Sequence, residues 1–319
     1  MEIDFLGRTI TLDRLAPSTT EWIRGTWFAP MASAAAEAAG RDLYASIEVV
    51  ERGESLPAAI AGHAAGEGLF GSRHFTLEND DVWIIDGGGA ATCGAHLRLG
   101  GRSSTIELYG VPFTGWFSLQ SALSEALGAN GLVLLHAAAI HHGTDTVALV
   151  GPSGRGKSTT LVRAVMGGWH PLSEDGCWLD VESLQLVGGD RKLRLLPSSL
   201  ELLRKARPEL DPGPLAGPKY EVDFDSIGDR VGSAILTEIA QLRRSGEAEP
   251  RWQPATPASA VMALFQATGV PHTSRVRRRY ASYFGDIVNR VACTTLHLGA
   301  RAEPLPTTRE GWSPTNATP

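Results

Sequence analysis

Cysteine, long apolar runs and charge of one sign are all scarce in this chain of 319 residues. The three cysteines, Cys93, Cys177 and Cys293, are scattered and form no CxxC pair. That argues against a zinc ribbon or a disulfide framework and fits a reducing compartment. No apolar stretch approaches the roughly 18 residues that cross a bilayer, so neither a membrane-spanning helix nor a membrane partner is expected. The opening MEIDFLGRTI is acidic where a secretory signal carries positive charge, and a cytoplasmic location is the expectation. Lys and Arg number 29 against 35 Asp and Glu, a net charge of -6, which speaks against a general polyanion-binding surface. Nucleic-acid motifs are also missing, so no nucleic-acid partner is expected. Trp22, Trp27 and Trp116 read as core or interface anchors rather than base-stacking platforms.

What is present is chain enough for two domains. EIDFLGRTITL predicts two short strands about a Leu-Gly turn, and Ser18-Thr19-Thr20-Glu21 offers N-caps to an alanine-rich helix reaching about Ala39. Strand-type runs follow at 43–50, 82–86, 94–99 and 103–109, punctuated by the loose GGGAA at 87–91. A helical pattern at 117–129 ends in Gly-Ala-Asn-Gly, where a domain junction is placed. Residues 1–128 are thus predicted to form a smaller antiparallel α+β domain, 129–300 a second domain, and 301–319 a flexible tail. In the second domain LVLLHAAAI and VALVG read as strands flanking the turn HHGTDT. Further strands are expected at HPLSE, CWLDV and LQLVG, and helices at 157–166, 198–206, 257–268 and 274–289. Strands outnumbering the helices between them imply an α/β fold with a mixed sheet. The Pro/Gly-rich stretch 207–218 is expected to be a mobile loop.

The strongest chemical signal is Gly151-Pro-Ser153-Gly154-Arg155-Gly156-Lys157-Ser158, which meets G-x-x-x-x-G-K-[ST] at every fixed position. An apolar strand precedes it and a helical pattern follows, the context the motif requires. Its glycines let successive backbone N–H groups and a helix N-terminus converge on a phosphate, with Ser153, Arg155 and Thr159 completing the cradle. Lys157 is placed to neutralise β- and γ-phosphate charge, and the Ser158 hydroxyl to ligate Mg²⁺.

Phosphoryl transfer also needs a carboxylate as metal ligand or proton acceptor. Glu174 and Asp175 supply one at the end of the strand after the loop's helix, although the pair also suits a turn cap before Gly176. His136, within LLHAAAI beside the strand of the loop, fits either a bond to phosphate or carboxylate or a satisfied core position. His141 and His142 read as surface residues, and with His170 they lack the spacing of a metal cluster. Arg275, Arg278 and Arg279 share one face of a predicted helix that also carries Arg277 and Arg290. They suit phosphate or acidic-peptide contacts, or a solvated face.

Together LLHAAAI, GPSGRGKST and PLSEDG resemble the core of the HPr kinase/phosphorylase superfamily, particularly its HPr-kinase-related serine kinases such as the lasso peptide kinases. The resemblance covers about 130–300 and is concentrated in 133–176. It implies a P-loop kinase domain similar to phosphoenolpyruvate carboxykinase. It also implies ATP- and Mg²⁺-dependent transfer of the γ-phosphoryl group to a serine-type hydroxyl of a peptide or protein. His136 matches the family histidine ahead of the loop. Glu174 and Asp175 stand at the family's paired aspartates, with Glu174 replacing an aspartate at the first position and Asp175 assigned with Ser158 to the metal; which of the two is the base stays open at this point. LRLLPSSLELL and PKYEVDF resemble later segments and make Lys219 a candidate phosphate or acceptor contact, or equally an exposed lysine opening a strand. The Arg-Gly-rich run of true HPr kinases has no counterpart, so HPr itself is not the expected acceptor. The N-terminal domain would help recognise the acceptor. A small-molecule acceptor, a regulatory nucleotide switch without transfer, and a homo-oligomer all remain open at this point.

Overall fold

The computed structural model describes residues 2–23, 45–63, 72–78, 81–86, 93–188, 190, 192–213, 215–246, 249–269, 271–299, 303–305 and 307. Trp27, most of the alanine-rich stretch and the GGGAA run lie outside the described residues, as does the side chain of Trp22. The fold is mixed α/β, and the chain divides into two compact units. One comprises described residues of 1–28, 35–133 and 270–282, the other those of 134–269 and 283–319.

In the first unit β1 (Glu2–Phe5) and β2 (Arg8–Asp13) form a hairpin through Leu6 and Gly7, both at positive φ, as a two-residue turn requires. Then come α1 (Pro17–Ile23), β3 (Ala45–Glu51), α2 (Ala58–His63), β4 (Ser72–Glu78), β5 (Asp81–Asp86), β6 (Gly94–Leu99), β7 (Ser103–Tyr109) and α3 (Trp116–Gly128). The seven strands make one sheet in the order β1-β2-β3-β7-β6-β5-β4.

An antiparallel sheet was the expectation, but β2–β3 and β3–β7 pair in parallel. Alternating burial specifies which face a residue takes and is silent on strand direction. The long connections 14–44 and 52–102 leave room for crossovers. One sheet face, with Val82, Ile84, Leu97, Ile106 and Leu108 fully buried, receives α3, whose Ser118 bonds Asp86 through backbone N–H and hydroxyl. Trp116 meets Phe113 edge-on at 5.7 Å, an anchoring role.

The second unit begins with β8 (Leu132–Leu135), whose first residues belong to the other unit, followed by β9 (Ala138–His142), β10 (Asp145–Val150) and α4 (Lys157–Met166). Next are β11 (His170–Ser173), β12 (Cys177–Asp180), β13 (Gln185–Gly188), β14 (Lys192–Leu195), α5 (Pro197–Ala206), β15 (Leu215–Ala216), β16 (Lys219–Asp223) and β17 (Ser233–Ile235). The chain continues with β18 (Glu238–Arg244), β19 (Arg251–Pro254), α6 (Pro257–Thr268), α7 (Ser274–Arg290) and β20 (Ala292–Leu298).

The main sheet runs β11-β9-β10-β18-β20-β19, and smaller sheets run β17-β13-β12-β8 and β14-β16-β15. The main sheet is mixed: β10, β18 and β20 are parallel and the remaining pairs antiparallel. Val147, Leu149, Ala240, Leu242 and Leu296 on one face share a core with Leu161 and Val162 of α4 and Leu200 and Leu203 of α5. The alternate position Gln241 faces α6, where Ser259 donates to it at 2.9 Å, so helices cover both faces.

Two boundaries differ from expectation. Residues 270–282 belong to the first unit, tied there by Glu125, which accepts from the backbone N–H of His272 and Thr273 and the Thr273 hydroxyl. The helical pattern of 274–289 is continuous, so nothing local marks that change of unit. In the tail, Leu305 is buried in the second core and its N–H donates to the Arg163 carbonyl at 2.8 Å, so 303–305 are anchored. Burying one leucine is worth about 1.5–3 kcal/mol, enough to hold a short segment. Residues 308–319 lie outside the described ones.

Candidate functional site

The glycine loop leaves β10 at the carboxyl end of the three parallel strands, the edge at which open α/β sheets bind ligands. Gly154 and Gly156 take φ of 77° and 102°, which a side chain disfavours, and a Cβ on Gly156 would stand 3.1 Å from Leu298 of β20. The chain then enters α4 directly, with Lys157 and Ser158 in the first turn, where backbone N–H groups have no helical partner. Lys157 is buried and donates to the Gly151 carbonyl at 2.9 Å. Burial pulls its ammonium pKa below the ordinary value, against the opposing pull of Asp175 and Glu174. Ser153 and Arg155 are exposed at the loop's crown. Thr159, counted with the cradle from the motif, instead shares a 2.7 Å hydrogen bond with Ser199 of α5.

The acid pair follows β11 and comes beside this loop. Ser158 donates its hydroxyl hydrogen bond to Glu174 Oε1. Glu174 is only 2% exposed, and its Oε2 is buried with no hydrogen-bond partner among the described residues. Burial drives its pKa upward, the Ser158 bond pulls it down, and the charges of Asp175 and Asp190 raise it further. Asp175, expected beside Ser158 at the metal, has other partners: Oδ1 lies 3.3 Å from His136 Nδ1 and Oδ2 accepts from Arg194 at 2.7 Å. Both residues lie past Ser173, the last residue of β11, and their carboxylates divide between two sets of partners.

His136 is not within a strand. It lies in the break between β8 and β9, donating its backbone N–H to the Ala267 carbonyl at 2.7 Å. Burial lowers its pKa, partly offset by Asp175, and Lys157 lowers it further. Lys219, opening β16, belongs electrostatically to the same group, since its charge depresses the pKa of His136, Lys157 and Glu174 alike. Three arginines of α7 are engaged elsewhere, while Arg278 is exposed. Arg275 donates to the carbonyls of Leu99 and Gly101, Arg277 to that of Thr273, and Arg290 to those of Val181 and Glu182.

Three residues at the site went unnoticed in the sequence. Arg244, ending β18, donates to the Gly154 carbonyl at 3.1 Å. Arg194 holds Asp175, and Asp190 accepts from the turn that carries the acid pair. The one available signal was spacing: CWLD and QLVG are strands of equal length about a turn, so the chain leaving the second strand comes back beside the segment that enters the first.

Magnesium fits the residues present. A hydroxyl and a carboxylate with one unpartnered buried oxygen are hard oxygen donors, the hydroxyl on the helix that starts the phosphate cradle. Among the described residues no three His, Cys, Asp or Glu side chains converge as a metal cage, and a phosphate-bound Mg²⁺ takes only one or two protein ligands. The sequence matches no family model and no curated protein.

Proposed function

We propose that the chain is an ATP- and Mg²⁺-dependent phosphotransferase, an HPr-kinase-like serine kinase that moves the γ-phosphoryl group to a serine-type hydroxyl of a peptide or protein. The observation that carries this reading is the pairing of a strand-loop-helix cradle with a buried glutamate oxygen that no described residue satisfies. The loop N–H groups and Lys157 bind the β- and γ-phosphates. Lys157 gives one ammonium proton to Gly151 and keeps two for phosphate oxygens. Ser158 and Glu174 hold the metal, a role that passes to Glu174 because it is the acid on Ser158. A magnesium ion held by Ser158 and Glu174 would supply positive charge to offset the negative charge that develops on the transferred phosphoryl group.

Asp175 is the base. It is partly exposed, sits on the other side of the turn, and is oriented by His136 and Arg194 to take the acceptor proton. Burial keeps His136 inclined to the neutral form, so its ring steadies Asp175 without a full charge that would hold the carboxylate against accepting a proton. Lys219 and Arg244 add positive charge at the cradle's rim, where the γ-phosphoryl group is transferred.

The test is transfer from γ-labelled ATP with Mg²⁺ to a library of serine-bearing peptides, proteins and small hydroxyl compounds. Lys157→Ala and Asp175→Asn should each lower transfer by about 10²–10³-fold with the melting temperature nearly unchanged. Full transfer by both variants overturns the reading. Slow ATP hydrolysis by the unaltered chain with no labelled acceptor replaces it with a nucleotide switch.

A further inference from the structure

Glu174 and Asp175 sit on a turn between two sheets: β11 before them belongs to the six-stranded sheet and β12 after them to the four-stranded one. Neither ladder fixes residues 174–176, yet their two carboxylates must diverge to Ser158 and to His136 and Arg194. Within the turn the Ser173 hydroxyl, with one proton to share, also lies 2.7 Å from the Gly176 carbonyl, and what ties the turn from outside is a single oxygen from a different part of the chain. Asp190 Oδ2 accepts from the Ser173 hydroxyl at 2.6 Å and from the backbone N–H groups of Glu174 at 2.6 Å, Asp175 at 3.0 Å and Gly176 at 3.4 Å. The β12–β13 hairpin delivers it: Gly188 pairs with Cys177, next to the turn, and Asp190 follows two residues on. Only glycine suits that last pair, since a Cβ at 188 would come within 1.9 Å of the Leu172 carbonyl.

We propose that Asp190 is a positioning residue for the phosphotransfer site: by gripping the 173–176 turn it sets Glu174 against Ser158 and Asp175 against His136 and Arg194. In its role for transfer the proposal rests on the kinase reading, whereas its grip on the turn does not. An anionic oxygen bonded to successive amides is a strong, charge-assisted tie. Partners that orient a metal ligand commonly matter about 10–100-fold in metal affinity or activity.

The experiment uses the full chain carrying Asp190→Ala or Asp190→Asn and two readouts. Hydrogen exchange of the nucleotide-free protein follows the amides of 174–176. Titration with ATP, in Mg²⁺ and then in EDTA, measures how much the metal adds to affinity. For Asp190→Ala the expected result is at least about tenfold faster exchange at those amides. It should also lose about 10–100-fold of the Mg²⁺-dependent gain, with affinity in EDTA and the melting temperature close to those of the unaltered chain. Asp190→Asn keeps an accepting oxygen and should lose less on both readouts, which a general packing defect would not predict. Exchange at 174–176 unchanged in both variants overturns the proposal, as does an equal loss of affinity in Mg²⁺ and in EDTA. If the unaltered chain binds no ATP, the kinase reading falls while the exchange result still decides whether Asp190 holds the turn.

Discussion

Two buried glutamates, one in each unit, satisfy their oxygens in opposite ways. Glu107 on β7 is saturated: Oε1 receives Arg52 and Arg98, and Oε2 receives His96 at 3.2 Å and the Tyr109 hydroxyl at 3.5 Å. His96 in turn meets Asp81 at 2.6 Å and stacks on Trp83 with centroids 4.3 Å apart. Strand register builds this set, since Trp83 pairs with His96 and His96 with Glu107 across adjacent strands. Glu174 stands where a strand has ended, with one partner on Oε1 and none on Oε2. A fully bonded network stabilises and fixes a fold, whereas an unmet acceptor costs stability until a ligand supplies the missing positive charge. The first carboxylate therefore reads as architecture and the second as a waiting ligand.

The largest effect on stability is expected at the saturated site. Glu107→Gln keeps the shape but removes the charge shared by Arg52, Arg98 and His96. Breaking a buried ion pair costs about 3–5 kcal/mol. Arg52 and Arg98 keep 37% and 51% of their side chains exposed and can resolvate, so about 2 kcal/mol is the expected loss here. Denaturant unfolding measures it, and a loss under about 0.5 kcal/mol would reduce the network to surface decoration.

The second variant should move stability the other way. Burial raises the Glu174 pKa above its unfolded value, so the folded chain holds that proton more tightly than the unfolded chain does. The charge therefore costs stability above the raised pKa, and the cost fades as pH falls through it toward the ordinary carboxylate value. Glu174→Gln should stabilise the chain by up to about 1 kcal/mol at pH 8, with the gain shrinking towards pH 5, and should lose most of the Mg²⁺-dependent ATP affinity. A variant less stable than the parent at every pH would erase the contrast between the two glutamates.

Much of this site was legible because its signals are local. The loop, the acid pair and the helix limits at 157–166 and 257–268 each come from a contiguous pattern, and the structure has them at those places. β18 and β20, the parallel strands beyond β10 in the sheet, were not legible. β18 carries Glu238 and Gln241 inward, which breaks an apolar reading. Only the folded chain shows that Thr294 and Ser259 bond them. Asp190, Arg194 and Arg244 act across long sequence separations through hairpins and crossovers, and pattern within a window carries no trace of that. His136 reads as mid-strand because LLHAAAI is evenly apolar, while the change of sheet at His136–Ala137 depends on tertiary pairing.

The smallest effect, and the finest test of the comparison, is expected at Arg194. Its guanidinium is 48% exposed and bonds Asp175 Oδ2 at 2.7 Å, an ion pair in contact with water. Such pairs add little stability, so Arg194→Ala should change unfolding free energy by less than about 0.5 kcal/mol, far below the loss at Glu107. Its expected influence is on orientation. With Oδ2 released, Asp175 keeps only His136 and samples more rotamers, so the acceptor proton meets its base less often. The transfer rate should fall about tenfold, the low end for an outer partner, with ATP affinity unchanged. Lysine at 194 replaces a planar fork with a point charge and should recover only part of the rate. Loss of ATP affinity instead would move Arg194 from the base to the phosphates, and the division of labour between Glu174 and Asp175 would have to be redrawn.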